Sequence, residues 1–354
     1  MKKQAHPKPP VKLWLDSGAF SVWQARKKGK KVEPISLPAY IDFIKQREHL
    51  IECYISLDEM PHRRDMGAMK HSARTSYEQH QVMKKAGLSP MPVFHQGEDT
   101  EWLDRYIGDG EQYIGLSGWK GPRSAGPVRK WCNMIFRDYP DRQIRFHGLG
   151  IMEHELVCHY PWFSVDSTTW ALKSGYGYII VPAFEGDKPN FLQPPRLVHV
   201  SDERRPGTRR FEMMSDAETE PVCRWLDWIE LNITQCRNEP DMRRRSFVCF
   251  YEGLSRQLGL TIVFATQLSG PWSVMMNDVG AMNRLLSYYL LRDKGPDLLE
   301  DYVMLRGKFA EAPEHRPAPN WGSAHVNWRR MRLAARLRDH LNNAVPVRFT
   351  TPST

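Results

Sequence analysis

A chain of 354 residues with 41% hydrophobic content is long enough to bury one barrel-sized core with an appended unit. Its formal net charge of +9 favours an acidic partner, of which nucleic acid is the commonest, and no stretch approaches the roughly 18 to 20 apolar residues of a membrane span. Cys53, Cys132, Cys158, Cys223, Cys236 and Cys249 are scattered without a CxxC or CxC pair, which argues against a zinc site and a secreted disulfide framework and favours a reducing cytoplasm.

The amino terminus, MKKQAHPKPPVK, carries lysines but no apolar segment after them. From there, short apolar runs at residues 12–15, 53–57, 91–94, 113–116, 144–146, 163–165 and 178–181 read as strands. Between them, residues 38–50, 72–86, 100–107 and 127–139 carry helical patterns, so the first part of the chain has the βαβ alternation of a parallel sheet. After Pro182 comes a charged, loop-like stretch containing DERRPGTRR, followed by helical patterns over residues 221–236 and 243–258. A β-branched run, LTIVFAT at 260–266, reads as a closing strand, with a helix over 279–291. The tail is Pro-rich and basic, with one amphipathic pattern at 328–341. The expected fold is therefore an α/β (β/α)8 TIM-type barrel. Residues 1–182 supply seven strands, 183–259 a helical, Arg-rich insertion, 260–293 the closing strand and helix, and 294–354 an extension.

Polar motifs recur where these strands end, the functional face of a parallel α/β sheet. Asp16 follows KLWL and Asp166 follows WFSV, two carboxylates in the same local grammar. Asp16 also suits a helix cap or the Ser17-Gly18 turn, and Asp58, in YISLDEMP, suits a cap before the next helix. Gln96, in PVFHQGED, is an amide able to read a base edge or to satisfy loop backbone. Gly115 to Gly118, in YIGLSGW, and Gly148, in RFHGLGI, bring bare backbone to the mouth of the fold or make tight turns.

Taken in order, Asp16-Ser17-Gly18-Ala19-Phe20, Asp58-Glu59, Gln96-Gly97, Gly115-Leu116-Ser117-Gly118, His147-Gly148-Leu149-Gly150 and Asp166 form a series that resembles the tRNA-guanine transglycosylase family. The resemblance implies a base exchange. Asp166 is then the nucleophile that forms a covalent glycosyl-enzyme, and Asp16 the general acid/base. It also implies base-binding roles for Ser17, Phe20, Asp58, Gln96, Gly115, Leu116, His147 and Gly148, and a target nucleotide flipped from its stack.

Several departures narrow the expectation. The clustered zinc ligands of the tRNA-modifying members are absent, so no cofactor is expected. Ala19 stands where the family has a second glycine, and Ser21 follows Phe20 in place of Gln. Family members have two barrel strands before this motif, so the runs at 178–181 and 260–266 are expected to replace them, giving a circularly permuted barrel. These departures resemble the divergent phage and bacterial relatives that exchange guanine in DNA for a 7-deazaguanine such as preQ0 or preQ1. The expected compartment is cytoplasmic, the host cytoplasm if the chain is phage-encoded. Lys27, Lys28, Arg204, Arg205, Arg209, Arg210, Arg243 and Arg244 are candidate phosphate ligands, or a solvated surface. The alternatives are a tRNA-guanine transglycosylase, a base-excising hydrolase, or a non-catalytic nucleic-acid-binding relative.

Overall fold

The computed structural model describes residues 13–48, 51–60, 66–118, 126–141, 143–202 and 209–264. The described chain is a mixed α/β structure built on a parallel sheet. Its first part alternates β1 (Leu13–Leu15), α1 (Ala19–Lys27), α2 (Leu37–Arg47), β2 (Ile51–Tyr54), α3 (Met66–Lys85), β3 (Val93–His95), α4 (Thr100–Gly108), β4 (Tyr113–Ser117), α5 (Gly126–Asp138), β5 (Arg145–Leu149), α6 (His154–His159), β6 (Ser164–Ser167) and α7 (Thr169–Gly175). The expected strands and helices of this part are all present, shifted by a few residues at their ends.

Five strands form a parallel sheet in the order β11-β6-β5-β4-β3, where β11 is Thr261–Phe264. A parallel bridge between Ile55 and Met91 extends it to β2, and β2 pairs in parallel with β1. This extended sheet is curled. Four inter-strand steps of about 4.8 Å would hold β1 and β5 roughly 19 Å apart if it were flat, yet the rings of Trp14 on β1 and His147 on β5 lie 5.0 Å apart.

Strand alternation sorts the side chains between the two faces of that curl. Phe94, Leu116, Phe146 and Val165 point outward into one large core shared with Leu103, Tyr106, Val128 and Ile135 of the helices. Ile55, Met91 and Val93 point inward and pack with Trp14, Cys53, Tyr113 and Leu149 as a separate cluster. At roughly 1.5–3 kcal/mol per fully buried large apolar side chain, the outer core is the main stabilising layer. The inner cluster forms a floor.

The second part departs from expectation. Residues 178–181 form β7 (Tyr178–Val181), but β7 does not join the parallel ladder. It pairs antiparallel with β10 (Arg196–His199), while β11 pairs directly with β6 through Thr261–Ser164 and Val263–Asp166. The cause is a hairpin-rich return in the stretch expected to be loop-like. Glu185, Gly186, Asp187 and Lys188 join β8 (Ala183–Glu185) to β9 (Lys188–Asn190), and Gly186 at φ 57 supplies the left-handed residue that a two-residue hairpin loop requires. The chain thus returns beside β7 by way of a hairpin and without a helical crossover, which favours an antiparallel neighbour.

The pattern expected as one helix over 221–236 is two. In α8 (Asp216–Trp228), Ser215 and Glu218 form a capping box, and the helix ends before Glu230, whose φ is 56. Asn232 and Gln235 then box the start of α9 (Ile233–Asn238). Next, α10 (Pro240–Leu258) packs on α7 and β7, burying Phe247, Phe250 and Leu254. The end of the expected strand beyond 264, and the patterns at 279–291 and 328–341, lie outside the described residues. Among the described residues no helix is long and apolar enough to cross a membrane.

Candidate functional site

Three carboxylates reach the carboxyl ends of the curled sheet from different strands. Asp16 follows β1, Asp58 lies just past β2, and Asp166 is on β6. By strand parity Asp16 continues the inward series of Trp14, and Asp166 that of Ser164. Asp16 is open to solvent yet surrounded by protein, the setting of a group in a concave mouth. Desolvation by the surrounding protein, followed by the charges of Asp58 and Asp166, raises its pKa from 3.8 to about 6. That Asp16 feels both charges places it near Asp58 and Asp166, although the three are far apart in sequence.

The turn after Asp16 has a local reason. Gly18 sits at φ 79, a left-handed conformation that costs glycine nothing, and its N–H points to Asp16 Oδ1 at 3.4 Å. Ser17, almost fully buried, accepts from the Ala19 N–H at 3.2 Å and donates to Asp58 Oδ1 at 2.8 Å. Asp16 therefore does take part in the Ser17-Gly18 turn, while the residue stays exposed to solvent.

Asp58 is also clamped from below by a residue that sequence reading passed over. His95 Nε2 lies 3.0 Å from Asp58 Oδ2, and its Nδ1 lies 3.0 Å from Glu98 Oε1. Burial opposes a charge on His95, but Glu98 and Asp58 outweigh it and push its pKa up to about 10. The result is a buried imidazolium between two carboxylates. Period-2 alternation was the available signal: His95 shares its face with Val93, but a strand ended at residue 94 leaves it in the loop.

Asp166 is positioned by β5 and its turn. Gly150 donates its N–H to Asp166 Oδ1 at 2.7 Å, and His147 Nε2 lies 3.3 Å from the same oxygen. Gly150 has φ 66, so the RFHGLGI turn aims a backbone donor at the acid.

The other base-binding candidates divide. Phe20 stands at the rim, 47% exposed and stacked on Trp23 at 5.8 Å. His147 faces inward but meets Asp166 and Ser164. Gln96 turns the other way and donates to the Pro127 carbonyl at 2.9 Å, the loop-satisfying alternative. Gly115 faces inward, where a Cβ would come within 3.1 Å of Leu149 and 3.3 Å of the Pro92 carbonyl; its N–H is already given to Pro92. Leu116 is buried in the outer core. Gly148 points outward, where a Cβ would meet Ile151 and Trp162. The glycines expected to contact a base thus serve close packing of the sheet.

The basic candidates divide as well. Lys27 and Lys28 are exposed at the end of α1, with Lys27 Nζ 4.9 Å over the Trp23 ring. Arg209 pairs with Glu218 and Arg210 with Glu212. Arg243 is a correction: it is buried and donates to the carbonyls of Ser174, Cys236 and Arg237. Its neighbours fare no better as a phosphate patch, since Arg244 is half-buried and Arg245 almost fully buried. Helical periodicity spreads these consecutive residues around α10, and Arg243 falls on the side that meets α7 and α9. Arg204 and Arg205 lie outside the described residues. Among the described residues no group of three His, Cys, Asp or Glu side chains is arranged to hold a metal ion. No family model, curated protein or solved structure matches the chain.

Proposed function

We propose that the chain is a guanine transglycosylase that exchanges guanine in a nucleic acid, DNA in the first instance, for a 7-deazaguanine base. The observation that carries this reading is the convergence of Asp16, Asp58 and Asp166 at the strand ends of one curled sheet, each in a different environment. Environments that set like groups apart are how one site divides the work among them.

In this reading Asp166 attacks the anomeric carbon of the target nucleotide as the bond to guanine breaks, giving a glycosyl ester. Asp16, with a pKa near 6, gives a proton to the departing base and takes one from the incoming base, which then displaces Asp166. Two displacements retain configuration. Asp58, held by His95 and Ser17, offers carboxylate oxygens to the N–H edge of a guanine-like base. A base without that donor edge would leave the carboxylate unsatisfied, at a cost of about 1 to 3 kcal/mol. The curled sheet of β1 to β6 and β11 is read as part of a barrel, of which β7, paired antiparallel with β10, is not one of the parallel strands. The basic end of α1 is read as a contact for the strand around the target nucleotide.

The test is incubation with labelled preQ0 or preQ1 and either duplex DNA or tRNA, followed by mass identification of the nucleoside formed. Incorporation into DNA is expected, with Asp166→Asn reducing it about a thousandfold or more. Undiminished incorporation by that variant would refute the mechanism. Release of free guanine without incorporation would identify a hydrolase instead, and incorporation into tRNA alone would reassign the substrate.

A further inference from the structure

Beneath the three acids, a second polar chain runs through the inner face of the sheet. Tyr113 on β4, His147 on β5 and Ser164 on β6 all point inward. The Tyr113 hydroxyl lies 2.5 Å from Ser164 Oγ, and Ser164 Oγ lies 2.7 Å from His147 Nδ1. At the far side of the imidazole, His147 Nε2 is buried, makes no hydrogen bond and faces Asp166 Oδ1 at 3.3 Å. Trp14 packs against the ring and limits its rotation.

Ser164 has one proton, so the direction of this chain is a choice between two arrangements. In one, Tyr113 donates to Ser164, Ser164 donates to Nδ1, and the ring proton sits on Nε2. In the other, Nδ1–H donates to Ser164, Ser164 donates to Tyr113, and a bare Nε2 lone pair faces a carboxylate oxygen. The phenol is the better donor and the aliphatic hydroxyl the better acceptor, while a lone pair opposite a carboxylate is repelled. Both considerations select the first arrangement.

We propose that Tyr113 and Ser164 fix His147 as its Nε2–H tautomer, which sets that N–H beside Asp166 Oδ1, 3.3 Å away and ready to bond as the carboxylate settles on substrate, so that Oδ2 is the oxygen left to attack. The Gly150 N–H already holds Oδ1. That bond orients the carboxylate before substrate arrives, and negative charge returning to Oδ1 as the ester breaks draws in the His147 N–H as a second donor. His147 is a positioning residue, acting through Asp166. Its role in turnover rests on Asp166 being the nucleophile; the tautomer does not.

Two measurements test the proposal separately. In protein labelled with 15N-histidine, with the His147 resonances identified by their loss in His147→Gln, NMR should show the proton on Nε2, and Ser164→Ala should convert this to a mixture. A proton on Nδ1 in the wild type would overturn the proposal whatever the protein catalyses. In the exchange assay, His147→Phe should lower kcat by about a hundredfold with KM for the incoming base unchanged. His147→Gln, which keeps an N–H at that reach, should restore most of it. Wild-type kcat in His147→Phe would overturn the positioning role. Absence of exchange in the wild type, with the proton on Nε2, would instead sink the transglycosylase reading and leave the relay standing.

Discussion

The inner face of the curled sheet and the layer of α10 against α7 and β7 both take charged side chains out of bulk water, but they use them oppositely. On α10, three arginines adjacent in sequence are spread around the helix, and Arg243 spends its donors on backbone carbonyls of α7 and α9. At the sheet, three acids distant in sequence converge on one mouth, where the charges of Asp58 and Asp166 act on an Asp16 that stays open to solvent. Proximity along the chain therefore says little about a shared site. Strand parity and strand order decide it.

The contrast can be broken most directly at Asp16. If the mouth is chemical, Asp16→Asn should lower the exchange rate by about a hundredfold to ten-thousandfold, and the wild-type rate should show an inflection near pH 6 that the variant lacks. A wild-type profile flat between pH 5 and 8 would remove Asp16 from proton transfer.

Next in size is the complementary experiment on α10. Arg243→Met should cost about 3 kcal/mol in urea unfolding, because buried carbonyls lose charged donors. It should leave the salt dependence of DNA binding by the folded protein unchanged. A shallower salt slope with unaltered stability would return Arg243 to the phosphate surface.

The pH dependence of stability sharpens the electrostatic side. Both Asp16 and His95 have folded-state pKa values above their ordinary ones, so each contributes stability at low pH that is lost as pH rises. For Asp16 the window runs from about 3.8 to about 6, and solvent access holds the effect to about 1 kcal/mol or less. For His95 it runs from about 6.5 to about 10. Chemical denaturation across pH should show Asp16→Asn flattening the lower window and His95→Gln the upper. An unaltered upper window would mean that His95 is not the clamped imidazolium described above.

The smallest expected effect is at the rim. Lys27→Ala and Lys28→Ala should each weaken DNA binding and reduce the slope of log K against log salt by about one unit if each lysine meets a phosphate. Unchanged slopes would make that end of α1 a solvated surface.

Much of this organisation was legible in the chain, and the limits have physical causes. The βαβ alternation up to β6 was readable because each strand is a short apolar run between helical patterns. The carboxylates could be picked out because they follow such runs directly. His95 was missed because ending its strand one residue early hides its parity, and Gly148 was read as turn because its strand was likewise ended early, whereas Gln96 lies just past its strand as expected and takes the loop-satisfying role. The β8–β9 hairpin was missed although Gly186-Asp187 is a turn signal, because flanking charges made the stretch look like loop. The pairing of β7 was not readable at all: YIIV suits a parallel or an antiparallel neighbour equally well.

By itself, then, the sequence determined local conformation: which segments are strands, which are helices, and where polar residues follow a strand. Periodicity and turn chemistry act over a few residues and need nothing else. Only the tertiary structure decided that β11 sits beside β6, that Trp14 reaches His147, that His95 underlies Asp58, and that Arg243 is spent inside the protein. Those outcomes depend on sheet curvature and on which element covers which face. Both are set by the packing of the whole core, which no local stretch of sequence contains.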